Sequence, residues 1–352
     1  MDHPTRPAAD RPRLCLVTPA LADAANGNWQ TARRWRGLLA DGYRVELLRQ
    51  WPEDASESAR QGDLLLALHA RRSAPSIAAW ARERPGLPLV LALTGTDLYR
   101  DILHDASAQR SLDLAHRLVV LQDAGRLALP ERWRDKCRVV YQSTRTWQTL
   151  PKTAHRLRVV MVGHLREEKW PQTLFAAARL VAPDEGICIE HIGRALEPAL
   201  GAAAQATALA CPHYRWLGEL PHAQARRRIQ RAHLLVHTSR MEGGAHVLME
   251  AVCSGTPVLA SAISGNVGML GSGYRGYFPA GDAEALVAAL RACRQTQTSA
   301  TGTLADLRRQ CAERAPLFSP ERERDALLRV LAEARQTAQA APSPCRPADL
   351  LR

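Results

Sequence analysis

Residues 233–261 constrain the fold more than any other segment of the chain. They contain two short apolar runs, 234–236 and 258–260, of the kind that forms buried parallel strands. Between these runs lie a loop with paired glycines, 239–244, and a helix with one apolar face that ends at Gly255. A strand, a loop, a helix and a second strand in this order predict a parallel sheet covered by helices.

The same alternation of apolar runs and helical segments extends over most of the 352 residues, a length that suits two domains. Strands are predicted at 14–17, 45–48, 64–68, 89–93, 118–121, 139–141, 158–162, 187–192, 214–217, 234–237 and 258–260. The pattern therefore predicts the α/β class, with two Rossmann-like, doubly wound parallel sheets.

A lapse in the alternation after Ser143 separates the two predicted domains. The sequence predicts an N-terminal domain at 12–143, a linker at 144–156 and a C-terminal domain at 157–318. We expect a crossover helix at 319–336, and tails at 1–11, which is expected to be disordered, and at 337–352.

Composition narrows the function only a little. The net charge of +12 suits anionic ligands, but the arginines are scattered and no nucleic-acid-binding signature accompanies them. No apolar run approaches the length of a membrane span, and the N-terminus lacks the apolar core of a signal peptide. We therefore expect a cytoplasmic protein with neither a nucleic-acid nor a membrane partner.

The loop and helix of residues 239–252 carry the strongest chemical signal. The backbone N–H groups of Gly243 and Gly244, next to a helix start, can receive a phosphate. Glu242 and Glu250 are separated by seven residues, and His246 shares a helix face with Glu250. Either carboxylate alone is equally compatible with a solvated helix charge, but together they predict acceptors for sugar hydroxyls.

Polar residues at predicted strand ends of the N-terminal domain form a second group. Asn28 follows the first strand, and the TGTD sequence with Arg100 follows the fourth, so Asn28, Thr94, Thr96 and Arg100 are candidates for binding an acceptor. A helix cap at Thr96 or Asp97 explains the same residues structurally. His69, at the end of the third strand, is interpreted as a core or loop histidine.

The Glu-x7-Glu spacing resembles that of the nucleotide-sugar glycosyltransferases with two Rossmann-like domains facing across a cleft, the GT-B architecture. The resemblance implies that Glu242 faces the donor sugar and Glu250 holds the ribose. In that family an arginine follows the glycine of the first loop, and a lysine comes five residues later, both on the donor diphosphate. Lys169 matches the lysine. His164 stands where the family has arginine, so Arg166 is the expected substitute, and Arg194 is a further candidate beside the diphosphate or base.

A narrower resemblance, to the selenosugar synthases of selenoneine biosynthesis, spans roughly residues 14–335. It is carried by LALTGTDLYRDI at 91–102, RLVVLQ at 117–122, VGHLREEK at 162–169, SRMEGGAHVLMEAV at 239–252 and ISGNVGMLG at 263–271. It implies transfer of a sugar from a UDP-sugar, expected to be UDP-N-acetylglucosamine, to selenophosphate. No DxD motif is present, and we expect neither a metal nor another cofactor.

Two other activities fit the same residues. A conventional transferase acting on a hydroxyl needs a base, for which His246 and Asp97 are the candidates. A UDP-sugar epimerase of the same architecture adds no acceptor. A binding protein without catalysis is disfavoured because the phosphate and sugar positions are both filled.

Overall fold

The computed structural model describes residues 10–19 and 27–340. The protein divides into two compact units, one formed by Met1–Tyr141 with Pro320–Arg352 and the other by Gln142–Ser319. Most of the two predicted tails, at 1–9 and 341–352, and the loop at 20–26 lie outside the described residues.

The N-terminal unit alternates strands and helices along the chain. Its elements are β1 (Arg13–Val17), α1 (Gly27–Leu39), β2 (Arg44–Leu48), α2 (Glu57–Arg60), β3 (Leu64–Leu68), α3 (Ala74–Glu83), β4 (Leu89–Ala92), α4 (Ile102–His104), α5 (Ala106–Leu114), β5 (Arg117–Val120), α6 (Ala124–Ala128), α7 (Glu131–Arg134) and β6 (Cys137–Val139). A π-helical segment, Asp97–Asp101, precedes α4.

The six strands form one parallel sheet in the order β2-β1-β3-β4-β5-β6. Their residues are mostly leucine and valine, and β3 is buried along its whole length. The chain leaves β1 toward one edge and then crosses back to β3, so the strand order reverses between these neighbours. Loops that follow strands at such a reversal splay apart and leave room for a ligand at the carboxyl edge of the sheet.

The C-terminal unit repeats this plan. Its elements are β7 (Leu157–Val162), α8 (Pro171–Leu180), β8 (Ile187–Ile192), α9 (Pro198–Ala210), β9 (Tyr214–Trp216), α10 (His222–Arg231), β10 (Leu234–His237), α11 (His246–Val252), β11 (Val258–Ser261), α12 (Ser264–Leu270), β12 (Tyr277–Phe278), α13 (Ala283–Gln295) and α14 (Thr303–Arg314). All pairings are parallel, in the order β12-β11-β10-β7-β8-β9. Here the reversal falls between β7 and β10, which are paired through Leu234 and Val159.

The last helix, α15 (Pro320–Ala340), returns to the N-terminal unit. Its Leu327 and Leu331 join the core that includes Trp35. The Glu323 carboxylate accepts hydrogen bonds from Trp35 Nε1 at 2.6 Å and from Arg34 Nε at 2.8 Å. The buried charge is thus paired and hydrogen-bonded, as burial requires.

The two-domain α/β fold predicted from the sequence is confirmed, with local differences. The strand expected at 139–141 lies at Cys137–Val139, and β12 was not predicted. The helix expected at 319–336 continues to Ala340. Residues Ser264–Leu270 form the helix α12 although the segment contains two glycines, and Gly265 lets this helix lie against the Glu242 carbonyl, which a Cβ would overlap.

Candidate active site

The two loops at the strand reversal of the C-terminal unit are tied together by hydrogen bonds. One loop follows β7 and includes Lys169, and the other follows β10 and includes Glu242. Thr238 Oγ1 donates to the Lys169 carbonyl at 2.8 Å, and Arg240 N–H donates to the Glu168 carbonyl at 2.9 Å. The loops are therefore held side by side where a doubly wound sheet binds its ligand.

Lys169 and Glu242 meet at this edge. The Nζ and Oε1 atoms are 2.5 Å apart, and the two side chains are 15% and 12% exposed. The pair is largely buried, but a ligand can still contact it. The two residues are 73 positions apart in the sequence. A ligand phosphate can take the lysine as its cation, since an ammonium group on a flexible stem pairs with carboxylate or phosphate alike.

Glu242 is held in its charged form. Burial alone would raise its pKa, but the Lys169 ammonium and the His237 side chain outweigh burial and lower the pKa of Glu242. His237 Nε2 lies 3.4 Å from the same carboxylate oxygen. Burial lowers the pKa of His237, so this ring is biased toward its neutral form. The site therefore presents one carboxylate and one movable cation.

The glycines of the loop supply free backbone donors. Within the described part of the chain, neither the Gly243 nor the Gly244 N–H donates a hydrogen bond to a protein acceptor. Unpaired amides of this kind, beside a lysine, are suited to phosphate oxygens.

Glu250 forms a second polar cluster on α11. Its side chain is 7% exposed, and Oε1 accepts a hydrogen bond from His222 Nε2 at 2.6 Å. Arg226 Nη1 and His246 Nε2 lie 3.7 and 4.0 Å from the same oxygen. Burial would raise the pKa of Glu250, yet the hydrogen bond from His222 and the neighbouring His246 and Arg226 lower it. The carboxylate is therefore anionic.

The predicted face shared by His246 and Glu250 is present, but His222 and Arg226 were not predicted. These residues lie 28 and 24 positions before Glu250 on a separate helix, α10. No local spacing connects α10 with α11, so only the tertiary fold brings them together.

The other residues predicted to bind the donor nucleotide-sugar are His164, Arg166 and Arg194. His164 Nδ1 accepts the Arg194 backbone N–H at 3.1 Å, and burial lowers the pKa of His164, so it does not replace the missing arginine as a cation. Arg166 is 47% exposed and lies 3.8 Å from Glu168. The Arg194 side chain is 63% exposed, beside Glu219. Of the two arginines, Arg166 lies on the same loop as Lys169.

The N-terminal unit places Asp97 inside the protein. The residue has no exposed surface, and its carboxylate accepts hydrogen bonds from Ala70 N–H at 2.9 Å, Thr94 N–H at 2.6 Å and Thr94 Oγ1 at 2.7 Å. Burial raises the pKa of Asp97, while His69 and these donors oppose the shift. The carboxylate positions the loops after β3 and β4, and its burial counts against the predicted role as a base.

The other candidates of this unit lie near the same loops. His69 is buried, as interpreted, and its Nε2 is 3.4 Å from Thr96 Oγ1. Arg100 is exposed, and its side chain forms an ion pair with Asp101. Asn28 is in the first turn of α1, after the undescribed residues that follow β1.

Two further features are absent from residues 10–19 and 27–340. No helix in them has the length and apolar content needed to cross a membrane. No three His, Cys, Asp or Glu side chains in them are grouped as a metal site requires.

The fold and this site define a class of protein. Two parallel sheets with these strand orders match the fold of GT-B glycosyltransferase structures. Residues 146–317, just under half of the chain, match the model of the family described as glycosyl transferases, group 1. The matched residues cover almost the whole of the C-terminal unit, Gln142–Ser319.

Solved structures of similar fold extend over both units. HepE from Anabaena, in complex with UDP and glucose, is 15% identical, with 92% of this chain and 100% of that chain covered and a TM-score of 0.73. Sucrose-phosphate synthase from Thermosynechococcus elongatus is 17% identical, covering 94% and 100%, with a TM-score of 0.71. The pneumococcal O-GlcNAc transferase GtfA, in complex with UDP and GlcNAc, is 17% identical over 77% of this chain and 57% of that one, with a TM-score of 0.61. No curated protein sequence matches the chain.

Proposed function

We propose that the protein is a glycosyltransferase that moves the sugar of a UDP-sugar onto selenophosphate. One observation carries the donor half of the proposal: Lys169 and Glu242 meet at the strand reversal of the unit that matches the family of glycosyl transferases, group 1. Structural neighbours in complex with UDP or UDP-glucose support the same donor class.

The donor-binding roles follow from charge. Lys169 leaves Glu242 and neutralises the diphosphate, with Arg166 and the free Gly243 and Gly244 amides as additional donors. Glu242, released from the lysine, accepts hydrogen bonds from hydroxyls of the donor sugar. Glu250, anionic and nearly buried, accepts those of the ribose, and His246 lies beside it.

The acceptor half rests on the resemblance to selenosugar synthases and on the burial of Asp97. A hydroxyl acceptor needs a base, and of the two candidates Asp97 is committed to three hydrogen bonds while His246 lies beside Glu250, the proposed ribose ligand. Selenophosphate is already anionic, so its selenium needs no base. Selenium forms a bond to the anomeric carbon, the bond from that carbon to the UDP oxygen breaks, and UDP departs with the electron pair.

The donor sugar is proposed to be N-acetylglucosamine. Protein side chains, and not a metal, are proposed to neutralise the charge on the departing UDP. A chelator should then leave the rate of UDP release unchanged. A rate that falls with EDTA and recovers on adding Mg²⁺ or Mn²⁺ would contradict the metal-free part of the proposal.

Mass spectrometry of the full chain incubated with UDP-N-acetylglucosamine tests the reaction, with selenophosphate generated in situ or omitted. The proposal expects a selenium isotope pattern on a sugar and UDP release only when selenophosphate is present. Release of UDP with a hydroxyl acceptor alone would favour a conventional transferase. Isomerised donor without any acceptor would favour an epimerase.

A further inference from the structure

We propose that Arg71 and Arg100, held by the buried Asp101, form a clamp for the tetrahedral oxyanion of the acceptor. This inference rests on the proposed function, and it assigns the acceptor's recognition to a phosphate group. The clamp lies in the N-terminal unit, on the segments that follow β3 and β4 at the carboxyl edge of the sheet.

One carboxylate holds both arginines. Asp101 Oδ1 lies 3.0 Å from Arg100 Nε, and Oδ2 lies 3.2 Å from Arg71 Nε. The Asp101 side chain is 4% exposed, whereas those of Arg71 and Arg100 are 44% and 51% exposed. A buried acid therefore orients two guanidinium groups that extend into solvent.

The outer edges of both guanidinium groups remain open. Arg100 Nε donates to Asp101 Oδ1, whereas Arg71 Nε forms an ion pair with Oδ2 that lacks hydrogen-bond geometry. The terminal nitrogens of both arginines donate no hydrogen bond to any residue among those described. Two parallel N–H donors on a planar group match two oxygens of a phosphate, so two such groups match a tetrahedral oxyanion. The pair carries one more positive charge than Asp101 balances, which favours an anionic ligand over a neutral hydroxyl.

The backbone around the clamp is unusual in two ways. Asp101 ends the π-helical segment Asp97–Asp101, a conformation that often occurs at functional sites. His69, two residues before Arg71, is a non-glycine residue with φ of +74°, and its Nε2 lies 3.9 Å from Asp101 Oδ2. A strained residue persists only where the surrounding structure holds it, and this one lies in the segment between β3 and Arg71.

Titration calorimetry with inorganic thiophosphate tests the clamp, using the full chain saturated with UDP so that the donor phosphate site is filled. Wild-type protein should bind thiophosphate, and the double variant Arg71→Leu/Arg100→Leu should bind at least about tenfold more weakly. Arg82→Leu removes an arginine that is 71% exposed on α3 and should bind like wild type. Arg71→Lys, which keeps the charge but loses the fork, should be intermediate.

The UDP affinity and melting temperature of each variant show whether it is folded. Wild-type affinity in the double variant, or no binding by the wild type, would overturn the clamp. Thiophosphate binding through the arginines without sugar transfer to selenophosphate would overturn the proposed function and leave the clamp standing. If the double variant transferred sugar to selenophosphate with an unchanged KM for the acceptor, the clamp would be overturned and the proposed function would stand.

Discussion

The two units place their acidic side chains differently at equivalent edges of similar sheets. In the C-terminal unit, Glu242 is 12% exposed and is paired with a single lysine. In the N-terminal unit, Asp97 is fully buried and Asp101 nearly so. Both edges are carboxyl ends of parallel strands at a reversal of strand order, so topology alone does not account for the difference.

The consequence is a different surface for each ligand. Where the carboxylate is reachable, the edge offers acceptors for hydroxyls together with one cation for a diphosphate. At the edge of the N-terminal sheet, the buried Asp97 and Asp101 hold backbone amides and arginines in place, and the arginines face solvent. We therefore expect the first edge to bind a nucleotide-sugar and the second to bind an oxyanion.

Replacing the lysine should have the largest effect on activity. Lys169→Met should lower kcat/KM for the donor by about 10²–10³-fold, because the charge that develops on the departing diphosphate loses its cation. The rate of UDP release measures this, and a melting curve checks the fold. Lys169→Arg, which retains the charge, should lose less. Wild-type kcat/KM in the methionine variant would exclude Lys169 from the diphosphate site.

Replacing the buried acid should instead affect stability. Asp97→Asn should reduce the free energy of unfolding by about 1–3 kcal/mol, because an amide cannot accept all three hydrogen bonds. Denaturant unfolding of the full chain measures the loss. Asp135→Asn, at a fully exposed side chain, is the matched control. If Asp97→Asn abolished transfer at unchanged stability, the base role would be restored and the comparison between the edges would fail.

Glu250→Ala should weaken UDP binding about tenfold, or ~1.4 kcal/mol, since the ribose hydroxyls lose their acceptor. Calorimetric titration with UDP gives the dissociation constant. Glu284→Ala, at an exposed position on α13, should leave UDP binding unchanged. Equal affinity in the two variants would remove the ribose role from Glu250.

The smallest expected effect concerns pH. The hydrogen bond to Glu250 raises the pKa of His222, although burial opposes it. A raised pKa in the folded state stabilises the protein most below about pH 6.5, and this contribution is lost as pH rises through the folded-state pKa. His222→Gln should therefore lower the melting temperature at pH 6 and have little effect at pH 9. An equal decrease at both pH values would show that the contact does not depend on protonation.

The pattern of apolar residues in the sequence was sufficient to predict the fold class and its two sheets. The strands predicted at 64–68, 187–192 and 234–237 have the same bounds in the structure, because a strand buried on both faces must be apolar at every position or nearly so. The order of these strands along the chain, each followed by a helix, is enough to specify two parallel sheets.

The pairing of site residues depended on the tertiary structure. A loop carboxylate has the same appearance in the sequence whether its side chain is partly exposed, like that of Glu242, or fully buried, like that of Asp97. His222 reaches Glu250 from another helix, and α12 contains Gly265 at a place where a Cβ would overlap the Glu242 carbonyl. Local patterns determined which segments become strands and helices, since that choice depends on neighbours in the chain. Burial, ion pairing and pKa depend on neighbours in space, and only the folded chain decided those.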